Sequence, residues 1–200
     1  GELEAFTVTN QDNDTASFTV TTSDPAETTE AGGTAEICVE LSARPSSGSV
    51  TIPLTVSDPS EASLASSSLM IAAADWDADD NCVTITGEDD DIDDGDIQYS
   101  IQTGNPTAAD TVWDELGADD IADPVFTNVD DDTAAITITE SDGTTTVTEG
   151  GNTDIIDVVL ETEPADSNEV VVSVQPNAQL STGGGAGVAT TLTFTAENWN

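Results

Sequence analysis

The sequence has no histidine and no lysine, and Arg44 is its only cationic side chain. These gaps remove whole classes of chemistry. Ser-His-Asp and Cys-His nucleophiles need an imidazole, and a Schiff base needs an amine. With no imidazole and only two cysteines, zinc and copper lose their usual ligands. Only 4% of residues are aromatic. A glycosidase-type carboxylate pair is the one catalytic device left open. The acids, however, run beside glycines rather than among cleft-lining rings, so the chain reads as a non-enzyme. No run of about 18 apolar residues occurs, so nothing reads as a membrane-spanning helix. No signal-peptide pattern opens the chain. It starts in a strand-like run from Leu3 to Val8, as a fragment of a longer protein would.

What is present is acid. Forty-one Asp and Glu residues leave a formal net charge of −40. Such a surface repels nucleic acid and anionic lipid. Two readings compete: a salt-adapted surface, or a set of divalent-cation sites. Clustering favours the second, because adjacent carboxylates repel strongly unless a cation lies between them. Elsewhere Thr, Val, Ile and Ser dominate, which favours strands.

An internal repeat organises the chain. Asp12-Asn13-Asp14-Thr15-Ala16 matches Asp130-Asp131-Asp132-Thr133-Ala134, at an offset of 118 residues (132 − 14). Thr29-Glu30-Ala31-Gly32-Gly33 matches Thr148-Glu149-Gly150-Gly151, and Ile37 to Leu41 matches Ile156 to Leu160. Trp76 matches Trp199 at an offset of 123 (199 − 76), so small insertions accumulate in the second copy. The implied organisation is the last strand of a preceding repeat (1–10), a complete repeat (11–130), and a partial repeat (131–200) lacking its last strands. A half-sandwich with open edges is unstable alone, so either a continuing chain or another molecule completes it.

Period-two alternation predicts seven strands in the complete repeat, near 16–22, 35–42, 49–57, 68–73, 82–87, 97–103 and 121–129. Ile37, Val39 and Leu41 share one face, as do Val83 and Ile85. The fold expected is all-β, an antiparallel seven-strand, Ig-like β-sandwich in tandem repeat. Strand parity sends alternate connections to the same end. One tip then collects Glu30, the loop with Asp58 and Glu61, the loop from Glu88 to Asp96, and the linker Asp130-Asp131-Asp132. Convergent carboxylates suit calcium, which takes about six to eight oxygens in flexible geometry. Magnesium is the weaker alternative, since it holds its waters. A merely solvated acidic loop is the bland one.

At these residues the chain resembles the Calx-beta family, in the form found in long bacterial secreted and surface proteins. The resemblance rests on Thr29-Glu30-Ala31-Gly32-Gly33 and on Asp75-Trp76 before Val83-Thr84-Ile85-Thr86-Gly87. It continues through Asp89-Asp90-Asp91-Ile92-Asp93-Asp94-Gly95-Asp96 and closes with Thr127-Asn128-Val129-Asp130-Asp131-Asp132. It implies a seven-strand sandwich with calcium at a tip built by several loops and the linker. It implies Glu30, Asp89, Asp90, Asp94, Asp130, Asp131 and Asp132 as ligands, with Asp58 or Glu61 adding another. Asp12 and Asp14 would serve the preceding domain, where Asn13 replaces a carboxylate. Glu149 would serve the partial repeat. The resemblance also sets the second and fifth strands side by side. Pairing Cys38 with Cys82 then fixes a register in which residue numbers sum to 120, and this register sets Glu30 opposite Asp90. A disulfide and two free thiols both remain open.

Trp76 and Trp199 read as packing or turn residues. Trp113, in the 104–120 loop, either covers the sandwich end or touches a neighbouring domain. Asn13-Asp14-Thr15 fits a glycosylation pattern, though its linker position favours metal. Gly183 to Gly187 reads as a flexible loop. The function expected is an extracellular or cell-surface, calcium-binding structural or adhesive repeat whose linkers calcium stiffens, with neighbouring repeats as partners. The alternatives are a glycan- or surface-binding adhesion module, and a filament subunit assembled by strand complementation.

Overall fold

The computed structural model describes residues 6–11, 13–165 and 168–200. Two compact units emerge. The first takes the chain up to Glu88 together with Gln98–Asn128; the second is Asp89–Ile97 with Val129–Asn200. The boundary therefore differs from the expected 130/131. The Asp89–Ile97 loop groups apart from the segments that flank it in sequence, because its hydrogen bonds run to residues 130, 134 and 163.

The first unit is an antiparallel β-sandwich. One sheet has the order β1 (Phe18–Thr22), β3 (Thr34–Leu41), β7 (Cys82–Gly87), β5 (Ala62–Leu64). The other has the order β2 (Glu27–Thr29), β10 (Val125–Val129), β8 (Ile97–Thr103), β4 (Ser49–Val56), β6 (Ser68–Ala72), with β9 (Thr107–Ala108) also on β4. All seven expected strands are present. The three additions, β2, β5 and β9, are two or three residues long, too short to show alternation. Residues 6–10, expected as a strand, are exposed chain outside any strand, and 1–5 lie outside the described residues.

Alternation builds the core. Ala35, Ile37, Val39 and Leu41 point inward from β3, Val50, Ile52 and Leu54 from β4, Val83 and Ile85 from β7. Tyr99 and Ile101 from β8 and Phe126 from β10 close the second sheet over them. The 104–120 segment is not merely loop. Asp110 caps a one-turn helix, α1 (Thr111–Asp114), which carries Trp113 into the core, 2% exposed and edge-on to Phe18 at 5.3 Å. Trp113 thus covers the sandwich end within its own unit. Trp76 is partly buried against the same core.

Cys38 and Cys82 form a disulfide across β3 and β7. Their ladder runs from Thr34↔Thr86 to Cys38↔Cys82, the sum-of-120 register. It continues to Gly33 and Gly87 and then ends, because the Glu88 N–H turns to the Glu61 carbonyl at 3.0 Å.

The second unit contains β11 (Ile136–Glu140) paired with β12 (Ile156–Leu160), and β13 (Val170–Val174) paired with β14 (Thr190–Phe194). Its registers repeat those of the first unit. Ile136 faces Leu160 where Phe18 faces Leu41. Val170 faces Phe194, and Val172 faces Leu192, where Val50 faces Ile71 and Ile52 faces Leu69. The Leu41 N–H donates to the Trp76 carbonyl, and the Leu160 N–H to the Trp199 carbonyl.

Candidate metal centre

Two acidic regions stand out, one in each unit. In the first, Thr28, Glu61 and Glu88 meet around Asn128. Alternation from Phe126 turns Asn128 inward, and it is 1% exposed. Its Nδ2 donates to the Glu88 carbonyl at 3.0 Å and to Glu61 Oε2 at 3.5 Å. Its Oδ1 accepts from the Thr28 hydroxyl at 2.9 Å, and that hydroxyl lies 2.9 Å from the Tyr99 hydroxyl. Burial raises the Tyr99 pKa, the Thr28 hydrogen bond opposes that, and the Glu61 charge adds to it. The β2–β3 turn, the Asp58–Glu61 loop and Glu88 therefore share one end, as strand parity required.

Two carboxylates here are buried, Glu30 at 4% and Glu61 at 7% exposure. Asp58 is engaged within its own loop, where its Oδ1 accepts from the Ser60 N–H and hydroxyl. Of the two candidates in that loop, Glu61 is the one held inside. Gly87 makes the close approach feasible. A Cβ there would lie 2.2 Å from the Thr29 carbonyl oxygen and 2.5 Å from Asn128 Oδ1.

In the second unit the Asp89–Asp96 loop is laced to the 130–134 segment. Asp130 Oδ2 accepts from the Gly95 N–H at 2.7 Å, and its Oδ1 from the Asp132 N–H at 2.7 Å. The Asp130 N–H donates to Asp96 Oδ1 at 3.2 Å, and the Ala134 N–H to Asp93 Oδ2 at 2.7 Å. The Asp90 carboxylate accepts the Ile92 N–H and sets the loop's turn. Carboxylate oxygens of Asp130 and Asp132 lie within 4.8 Å of one another. Desolvation raises the Asp132 pKa, and Asp130, Asp91, Asp131 and Asp89 push it further in that order.

Of the expected ligands, Asp89, Asp90, Asp94, Asp130, Asp131 and Asp132 thus gather in the second unit, and Glu30, Asp58 and Glu61 at one end of the first. Asp14 is exposed and lines a different hollow, with Arg44 and Asp110. Asp12 lies outside the described residues. Glu149 is exposed in a turn. Sequence reasoning passed over Asn128, Asp93 and Asp96. Asn128 was signalled by its place two residues after Phe126 on one strand face. Asp93 and Asp96 carried no signal, because in a run of acids nothing marks which ones bond the backbone. Glu36 lies beside Cys38 and Cys82, but sulfurs bonded to each other are not metal ligands.

Oxygen-only donors, flexible loops and like charge suit a hard cation of calcium type. No family model matches the chain, and no curated protein matches it. The Calx-beta resemblance therefore rests on the residues that carry it.

Proposed function

We propose that this chain is part of a calcium-binding tandem-repeat protein of Calx-beta type, secreted or held at a bacterial surface, with a structural or adhesive role. One observation carries the reading. The Asp89–Asp96 loop and Asp130–Asp132 are tied by backbone hydrogen bonds into one carboxylate cluster, and the second unit contains no Lys or Arg. A cation from solution would relieve the repulsion among them. Calcium is the cation that these oxygens suit, and the resemblance adds Glu30 and either Asp58 or Glu61 as ligands. In this reading the ion stiffens the joints between successive repeats, and the matched registers of the two units support the repeat itself. The disulfide suits an oxidising compartment. Among the described residues no helix is long and apolar enough to cross a membrane.

Calorimetric titration with calcium, paired with melting in EDTA, tests this. Uptake of calcium with a raised Tm is the expected result, since a ligand that binds only the folded state stabilises it by about 2.7 kcal/mol at a hundred times its Kd. No heat of binding and an unchanged Tm would remove calcium from the proposal.

Assembly by strand complementation is a second reading with its own observation. Among the described residues, β12 and β13 each pair on one side only, while their counterparts β3 and β4 pair on both. Concentration-dependent oligomers in sedimentation would support it; a monomer at all concentrations would not. The glycan-platform reading gains nothing from Trp113, which is buried, or Trp76, which is partly buried.

A further inference from the structure

Matching residues are covered by a tryptophan in the first unit and lie open in the second. In the first, α1 turns Trp113 onto Phe18, edge-on at 5.3 Å, and leaves the indole 2% exposed. Asp110, three residues earlier, caps that turn and accepts the Ser46 N–H at 2.7 Å. Asp110 shares a small hollow with Asp14 and with Arg44, the chain's only cation.

In the second unit Phe18 is matched by Ile136, at an offset of 118 (136 − 18), and Arg44 by Glu163, at 119 (163 − 44). A hollow of about 310 Å³ opens beside them. Ile92, Ile136, Leu160 and Val170 give it an apolar wall, and Ile136 is 49% exposed. Asp93 and Glu163 also line it. The Asp93 carboxylate accepts the Ala134 N–H at 2.7 Å, an amide that brings no net charge. The second unit has no Lys or Arg to answer either acid. The hollow thus pairs apolar space with uncompensated negative charge. An apolar anchor with a cation beside it is complementary on both counts, and an acidic guest is repelled.

We propose that this hollow is the docking site for a tryptophan of a separate, basic polypeptide, presented on a turn with a basic residue three positions before it. The indole lies against Ile136 as Trp113 lies against Phe18. The base meets Glu163, reversing the charges of Asp110 and Arg44. The correspondence of positions rests on the repeat half of the function proposed above. The calcium half plays no part.

The probe is a capped peptide with the sequence of residues 107–117 carrying Asp110→Lys, Asp114→Asn and Glu115→Gln. It is added to the isotope-labelled intact chain in EDTA at about 0.15 M salt, where the Debye length is about 8 Å. Backbone amide shifts report binding. The expected result is saturable shifts at Ile92, Ile136, Leu160 and Val170. A peptide that keeps Asp110 should bind at least about tenfold more weakly, and one with Trp113→Ala should lose a similar factor. Glu163→Arg in the protein, which restores the first unit's sign, should reverse the preference between the Lys and Asp peptides. The peptide series on the unaltered protein decides the matter if that variant folds poorly. No saturable shift at millimolar peptide, equal binding by the Trp113→Ala peptide, or indifference to the charge at position 110 would overturn the proposal. Signals of the hollow that move with protein concentration alone would assign it to a second copy and overturn it equally. Because calcium is absent throughout, a failed calcium titration leaves this result unaffected.

Discussion

The two units share strand registers and differ in what those strands cover. In the first, β1, β3, β4 and β6 lay apolar residues against Val83 and Ile85 of β7, Tyr99 and Ile101 of β8, and Phe126 of β10. In the second, the same two ladders form, yet Leu160, Pro164 and Phe194 are its only buried apolar side chains among the described residues. Ile138 at 63% and Val171 at 60% exposure face solvent. Register is thus a local property, set by neighbouring strands, whereas a core needs the strands that close the other side. Backbone pairing without that closure leaves little apolar area removed from water, the dominant stabilising term.

The largest expected difference follows directly. Ile85→Ala opens a cavity in a fully buried site and should cost about 2–5 kcal/mol. Ile138→Ala, on the exposed face of β11, should stay within about 0.5 kcal/mol. Denaturant unfolding followed by Trp113 emission checks the first, and hydrogen exchange at β11 and β12 checks the second. Equal effects would mean that the second unit has a core. Gly87→Ala belongs with the large effects, since the Thr29 carbonyl that its Cβ would strike is backbone and cannot swing aside.

Reduction of the disulfide comes next. It closes a separation of 44 residues in the first unit, and the second has Asp157 at the position that matches Cys38. Opening it should cost about 2–4 kcal/mol. In hydrogen exchange, protection should fall in β3 and β7 and hold in β11 and β12. Uniform loss in both units would show that they unfold as one.

The same contrast explains what the sequence disclosed. The seven strands were readable because a half-buried strand must alternate, and Ile37, Val39 and Leu41 do so plainly. The likeness of the two units' strand registers was foreshadowed where Thr29-Glu30 and Thr148-Glu149, and Trp76 and Trp199, recur in the sequence. The β3–β7 register followed once the two cysteines were paired. Three features were not readable. The short β2 carries Thr28, whose buried hydroxyl gives no hydrophobic signal. Trp113 sits in a segment whose one helical turn is too short for periodicity. The allegiance of Asp89–Ile97 is set by the Ala134, Asp130 and Glu163 amides, and every residue but proline offers one. Acid content pointed to the loops that carry the candidate site, while the backbone bonds that shape them stayed invisible.

The smallest effects are acidic and fall on both units alike. Asp110 accepts the Ser46 and Val112 N–H groups, the former the larger cause, and its pKa is lowered from the usual 3.8. Asp154 accepts the Ser141 hydroxyl and then the Thr146 and Ile155 N–H groups, and its pKa is lowered likewise. A depressed folded-state pKa gives stability that is present above the unfolded value and is lost as pH falls through the folded one. Each unit should therefore lose stability as pH drops below 3.8, and neither carboxylate should contribute a slope near neutrality. Asp110→Asn should flatten the acid limb of the first unit alone, read by Trp113 emission. Asp154→Asn should flatten that of the second, read by exchange at β11 and β12. If Asp110→Asn also flattened the acid limb in β11 and β12, the two units would titrate as one body rather than as two.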